Sequence, residues 1–98
     1  MNKEIKINNF NYKVLEMQKD SLDIDVLKEK VTDYFDNFDY IVGDWAYGKL
    51  RLKGFYKSNN KNCKPYNDYS SVKDYLKKYC AFGCGYFILE KIKVENKN

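Results

Sequence analysis

Polar and apolar residues alternate in Glu4-Ile5-Lys6-Ile7, the pattern of a half-buried strand. Asn8-Asn9-Phe10-Asn11 supplies turn residues and Tyr12 to Met17 resumes as a second strand, so this stretch reads as a hairpin. Asp20 or Ser21 can cap the next element. Apolar residues then fall at Ile24, Leu27, Val31, Tyr34, Phe35 and Phe38, steps of three and four that predict an amphipathic helix. Its early acids, Asp23 and Asp25, suit the positive end of a helix dipole. Tyr40-Ile41-Val42 is a short strand closed by Gly43-Asp44, and Trp45-Ala46-Tyr47-Gly48 reads as a turn. Lys49 to Tyr56 returns as a strand antiparallel to it. Residues 57–68 are rich in Asn and Lys, hold the only proline, Pro65, and predict a mobile surface loop. Ser70 or Ser71 can cap a second helix carried by Val72, Tyr75, Leu76 and Tyr79, with Gly83 and Gly85 as its stop. Tyr86 to Val94 is the last strand, and residues 95–98 are expected to fray.

The order β-β-α-β-β-α-β with short hairpins predicts one α+β domain over residues 1–98. Its sheet should be mostly antiparallel, with both helices on one side. Ile24, Leu27, Val31, Phe35, Leu50, Leu52, Leu76 and Ile88 should form the core, with Trp45 at least partly buried. At 98 residues and 11.7 kDa there is room for one core. A mean hydropathy of −0.74 and 33% charged residues suit a soluble protein. No run approaches the roughly 18 apolar residues of a membrane span. Met1-Asn2-Lys3-Glu4 opens no apolar export signal. Cys63, Cys80 and Cys84 are an odd set that cannot all pair internally, which points to free thiols in the cytoplasm.

Two blocks carry a family resemblance. Asp39-Tyr40-Ile41-Val42-Gly43-Asp44-Trp45-Ala46-Tyr47-Gly48-Lys49-Leu50-Arg51-Leu52-Lys53-Gly54-Phe55 resembles the signature of the YutD-like family. So does Asp74-Tyr75-Leu76-Lys77-Lys78-Tyr79-Cys80-Ala81-Phe82-Gly83-Cys84-Gly85-Tyr86-Phe87. Together they span about a third of the chain, in the family's order, around a variable loop. The resemblance implies a small cytosolic protein with a compact α+β fold; it assigns no catalytic residue.

The chemistry of an enzyme is thinly provided. With no His, neither a Ser-His nor a Cys-His nucleophile pair can be built. Gly43-Asp44-Trp45-Ala46-Tyr47-Gly48-Lys49 spells the start of a phosphate-binding loop, but Leu50 stands where Ser or Thr must hold magnesium, and a strand follows where a helix is required. Cys80 and Cys84 with Cys63 lack the fourth ligand and the spacing of a zinc site, so no metal or other cofactor is expected. Asp39 and Asp44 could in principle be paired carboxylates, though such acids are more often a turn and a cap.

Charge is unevenly spread along the sequence. The eight acids between Asp20 and Asp44 face only Lys28 and Lys30, a local charge of −6, whereas Lys49 to Lys64 holds six bases and no acid. At period two, Lys49, Arg51, Lys53, Phe55 and Lys57 share one side of their strand, opposite Leu50 and Leu52, with Trp45 and Tyr47 close by in sequence. Such a face suits phosphates and a stacked base, and predicts a non-enzymatic module associated with RNA. Lys53-Gly54-Phe55 and Gly83-Cys84-Gly85-Tyr86 touch the RNA-recognition signature before departing from it. The same lysines could simply guard a strand edge. The alternative is a protein-interaction adaptor that docks a basic partner on the acidic helix 23–38.

Overall fold

The computed structural model describes residues 3–8, 10–18, 21–46, 48–79 and 85–92. Strands β1 (Lys3–Ile7), β2 (Phe10–Met17), β3 (Tyr40–Ala46), β4 (Lys49–Phe55) and β5 (Tyr86–Lys91) form one sheet in the order β1-β2-β5-β3-β4. Every neighbouring pair is antiparallel. The helices are α1 (Ile24–Lys30) and α2 (Val72–Tyr79). The α+β architecture agrees with the sequence pattern.

Side chains alternate across a strand, so the pairs Ile41↔Leu89 and Val42↔Ile88 present opposite faces of the sheet. One face carries Ile7, Tyr12, Ile41, Leu50, Phe87 and Leu89, packed with Leu27 of α1, Val31 and Phe35. The other carries Tyr40, Val42, Phe55 and Ile88, packed with Val72 of α2 and flanked by Tyr75 and Leu76. The helices therefore cover opposite faces, not the single side that the hairpins suggested. Trp45 is half-buried, and its Nε1 donates to the Ser21 carbonyl at 2.6 Å.

Three boundaries differ from the sequence pattern. The helix expected to reach Phe38 stops at Lys30: Val31 is extended, and Thr32 accepts from the Tyr34 N–H to cap a 3-10 turn over Asp33–Phe35. Asp23 supplies the α1 cap, accepting from the Val26 N–H at 3.2 Å, whereas Ser21 is buried and donates to the Tyr86 carbonyl at 2.8 Å. β3 continues through Gly43 to Ala46, because Ala46 pairs with Lys49 and Gly48, at φ 76, takes the left-handed turn position. The expected stop at Gly83 and the tail 95–98 lie outside the described residues.

Gly43 has a packing role. The Phe87 ring, from directly across in β5, lies over it so closely that a Cβ there would sit 2.2 Å from Phe87 Cζ. Phe87 is fully buried and has nowhere to move. Gly43→Ala is expected to cost about 3 kcal/mol, the upper end for overpacking a core. Gly54→Ala should cost less, since the ring it meets belongs to half-buried Phe38. Urea unfolding of the two variants checks the order, and Phe87→Leu should rescue only the first.

Residues 57–68, expected as a mobile loop, are laced to the sheet. The buried Asp39 carboxylate accepts from the Lys57 N–H at 2.8 Å and from Asn60 Nδ2 at 3.1 Å. Tyr56 N–H donates to the Asn67 carbonyl at 2.7 Å, and Tyr69 N–H donates to the Tyr56 carbonyl at 2.9 Å. A second 3-10 turn, Pro65–Asn67, closes with the Lys64 N–H on Asn67 Oδ1 at 2.6 Å.

Candidate functional site

The basic strand does not present its charges freely. Arg51 pairs with Asp44 of β3, directly opposite it in register; Asp44 is 1% exposed, and its Oδ1 has no hydrogen-bond partner among the described residues. Lys53 Nζ stands over three rings, at 5.2 Å from the centroid of Phe55, 5.8 Å from Tyr66 and 5.9 Å from Tyr75. Such a cation–π cage ties β4 to the 3-10 turn and to α2. Lys57 Nζ lies 3.9 Å from Glu90. Lys49 is exposed. Phe55, assigned above to an outward face as a base-stacking ring, is 0% exposed beneath α2, a correction that follows from the second helix covering this face. Trp45 belongs to the opposite face, packed against the cluster under α1, and Tyr47 lies outside the described residues.

Asp39 and Asp44 do not act as a carboxylate pair: the first anchors the 57–68 segment and the second holds Arg51. Gly43 lies inside β3 and Lys49 opens β4, so a strand follows where a phosphate would need a helix. Burial, then a hydrogen bond with Asp68, pushes the Cys63 thiol above its ordinary pKa and away from the nucleophilic thiolate. Cys80 and Cys84 lie outside the described residues. Among the described residues no group of three or more Cys, Asp or Glu is placed to hold a metal ion, and no helix is long and apolar enough to cross a membrane.

The Asp44–Arg51 pair gives a direct prediction. Arg51→Met leaves a buried carboxylate without its counter-charge and is expected to cost about 2–3 kcal/mol, less than for a fully buried pair because Arg51 is 43% exposed. Adding Asp44→Asn should recover most of the loss. Urea midpoints of the single and double variants decide it; a neutral Arg51→Met would refute it.

The feature that the sequence pattern missed is a groove of about 400 Å³ beside β4. Tyr34 and Phe38, with ring centroids 5.5 Å apart, reach it from the segment after α1, and Phe38 continues onto Tyr56 at 4.7 Å. Asn62, Lys64, Tyr66 and Asn67 reach it from the laced segment. Lys53 and Gly54 complete the β4 side with Leu52. Tyr34 and Tyr66 are 68% and 70% exposed, unlike the other large rings among the described residues. Among the described residues no carboxylate lines the groove, whereas the exposed Asp33 and Asp36 flank Tyr34 in sequence.

Comparison with known proteins gives this arrangement a family. A family model described as "Putative antitoxin YutD-like" matches residues 6–90. A Bacillus subtilis (strain 168) protein named "Putative antitoxin YutD" is 38% identical over 89 residues, covering 91% of this chain and 98% of that one. The solution NMR structure of protein yutD from B. subtilis matches with a TM-score of 0.77 at 37% identity, over 98% of this chain and 88% of that one. With the family model spanning most of the chain and the same fold in a solved relative, this chain belongs to the YutD-like family.

Proposed function

We propose that the chain is a non-catalytic protein-binding module that restrains a partner, a reading supported by the name "Putative antitoxin" that its relatives carry. One observation carries this reading: Tyr34 and Tyr66 stand 68% and 70% exposed in the groove beside β4, whereas the other large rings among the described residues are buried or half-buried. Solvent-facing tyrosines around a concavity are the side chains that dominate protein interfaces, because they bring a large area at a small entropic cost. The adaptor surface thus shifts from the whole acidic helix 23–38 to the end where Asp33 and Asp36 flank Tyr34. The RNA reading is weakened by the engagement of Arg51 with Asp44 and of Lys53 with its rings. An odd cysteine count supports the cytoplasm as its compartment.

The test is affinity capture on the immobilised chain beside a Tyr34→Ala/Tyr66→Ala variant, with and without nuclease. Both side chains are exposed, so folding should survive. The expected result is a nuclease-resistant protein held by the wild type and reduced at least about tenfold on the variant. Retention that disappears with nuclease would instead favour RNA and return attention to Lys49 and Lys57. Equal retention by the variant would remove the groove from the contact.

A further inference from the structure

We infer that the groove receives an extended, acid-bearing segment of the partner protein, which adds to the free edge of β4 as a sixth strand. The inference rests on the protein-binding reading above and specifies its chemistry. The free edge follows from the ladder. Trp45 N–H donates to the Gly85 carbonyl and Lys91 N–H donates to the Asp39 carbonyl, so the odd-numbered residues of β3 turn their backbone groups to β5 and the even-numbered ones turn theirs to β4. In register, Lys49, Arg51, Lys53 and Phe55 answer them, which leaves the N–H and C=O of Leu50, Leu52 and Gly54 directed away from the sheet.

The next outward position is already used in this way. Tyr56 gives its N–H to Asn67 and its carbonyl to Tyr69, a parallel bridge that is the stub of a sixth strand. Leu52 and Gly54, which line the groove, continue that row. Strand addition draws its affinity from such main-chain groups and its selectivity from the flanking side chains.

The flanking chemistry selects the occupant. Asn67 is 8% exposed and lines the groove; the Lys64 N–H takes its Oδ1, so the amide NH2 is the donor that it can offer an occupant. The exposed Lys64 adds positive charge, backed by the ring-held Lys53 ammonium, and no carboxylate among the described lining residues offsets it. An acidic side chain is therefore favoured at this end. At the other, the exposed Asp33, next to Tyr34 in sequence, would repel a phosphate backbone passing that ring, which favours a peptide over a nucleic acid. A ring or long apolar side chain of the segment would lie against Tyr34 and Tyr66.

The probe is a ten-residue peptide alternating Glu and Val around a central Tyr, titrated to millimolar concentration into the 15N-labelled chain. Its comparators are the same peptide with Lys for Glu, the peptide with alternate amides N-methylated, and a ten-nucleotide uridylate. Shifts centred on the amides of Leu52 and Gly54 and on the Asn67 side-chain NH2 are expected with the acidic peptide, and should be lost on N-methylation. Lys64→Glu, an exposed substitution, should weaken the complex about tenfold, the scale of a charge-assisted hydrogen bond. No shift, shifts centred elsewhere, equal binding of the basic peptide, or preference for the uridylate would each overturn the inference. Its failure is separable from that of the broader reading. A nuclease-resistant partner still captured by Lys64→Glu leaves a protein-binding module with a different contact. Peptide binding at β4 without any captured partner leaves the edge site and removes the proposed role.

Discussion

Phe55→Ala is expected to destabilise the fold by about 3–5 kcal/mol, the cost of emptying a phenyl-sized site that can only partly collapse. The ring is fully buried, meets Tyr75 of α2 edge-on with centroids 5.7 Å apart, and forms one wall around the Lys53 ammonium. Truncation therefore loosens α2 from the sheet and opens the cation cage. Against the roughly 5–15 kcal/mol that holds such a domain together, this is a large fraction. Chemical unfolding gives the number. The outcome separates two roles: a base-stacking ring would be lost with the unfolding midpoint unchanged and about 1–3 kcal/mol missing from RNA affinity. A midpoint that does not move would return Phe55 to a solvent-facing role.

A second large effect is expected in alkali. Tyr12 is pushed up to about 12, first by burial and then by the charge of Asp36. Tyr40 is also pushed up to about 12, by burial first and then by the Glu90 carboxylate, with Tyr69, Asp39 and a hydrogen bond to Glu90 adding to it. In the unfolded chain these phenols ionise near 10. Between about pH 10 and 12 the unfolded state therefore binds fewer protons than the folded one, and stability falls as pH rises. Raising both phenols from about 10 to about 12 corresponds to on the order of 5 kcal/mol in all, fully present below pH 10 and lost through pH 12. Cooperative loss of circular dichroism should accompany tyrosinate absorbance in that window. Tyr12→Phe/Tyr40→Phe should move the transition to higher pH; tyrosinates that titrate near 10 within an intact fold would refute this.

Local periodicity carried the strands and both helix starts because side-chain alternation and helical spacing are properties of neighbouring residues. It also sorted β4 correctly into two sets, Leu50 with Leu52 and the cations with Phe55. What it could not supply is what covers each set. That depends on β5 lying between β2 and β3, a contact between residues some 45 positions apart (Val42 with Ile88). Once α2 covers the second face, the same alternation that placed Phe55 beside lysines also buries it. The apolar spacing across Val31 likewise suited either a continuous helix or a helix followed by a 3-10 turn. The extended Val31 and the Thr32 cap decided for the latter. The groove was illegible for a related reason. Tyr34 and Tyr66 are 32 positions apart, and Asn67 reads as one more loop asparagine until its carbonyl oxygen is seen tied to Lys64.

The central place of β5 bears on how the chain reaches this state. β1 with β2, and β3 with β4, are hairpins that close over short separations and can form as soon as they emerge from the ribosome. Each then waits with a bare inner margin, because the strand that joins them is made after the other four. During that interval β2 and β3 offer unpaired backbone to any other chain nearby, and premature annealing of one hairpin to the other would shut β5 out. Slowing translation ahead of residue 86 should therefore lower the soluble yield, and supplying β5 in trans to a chain cut before it should restore the sheet.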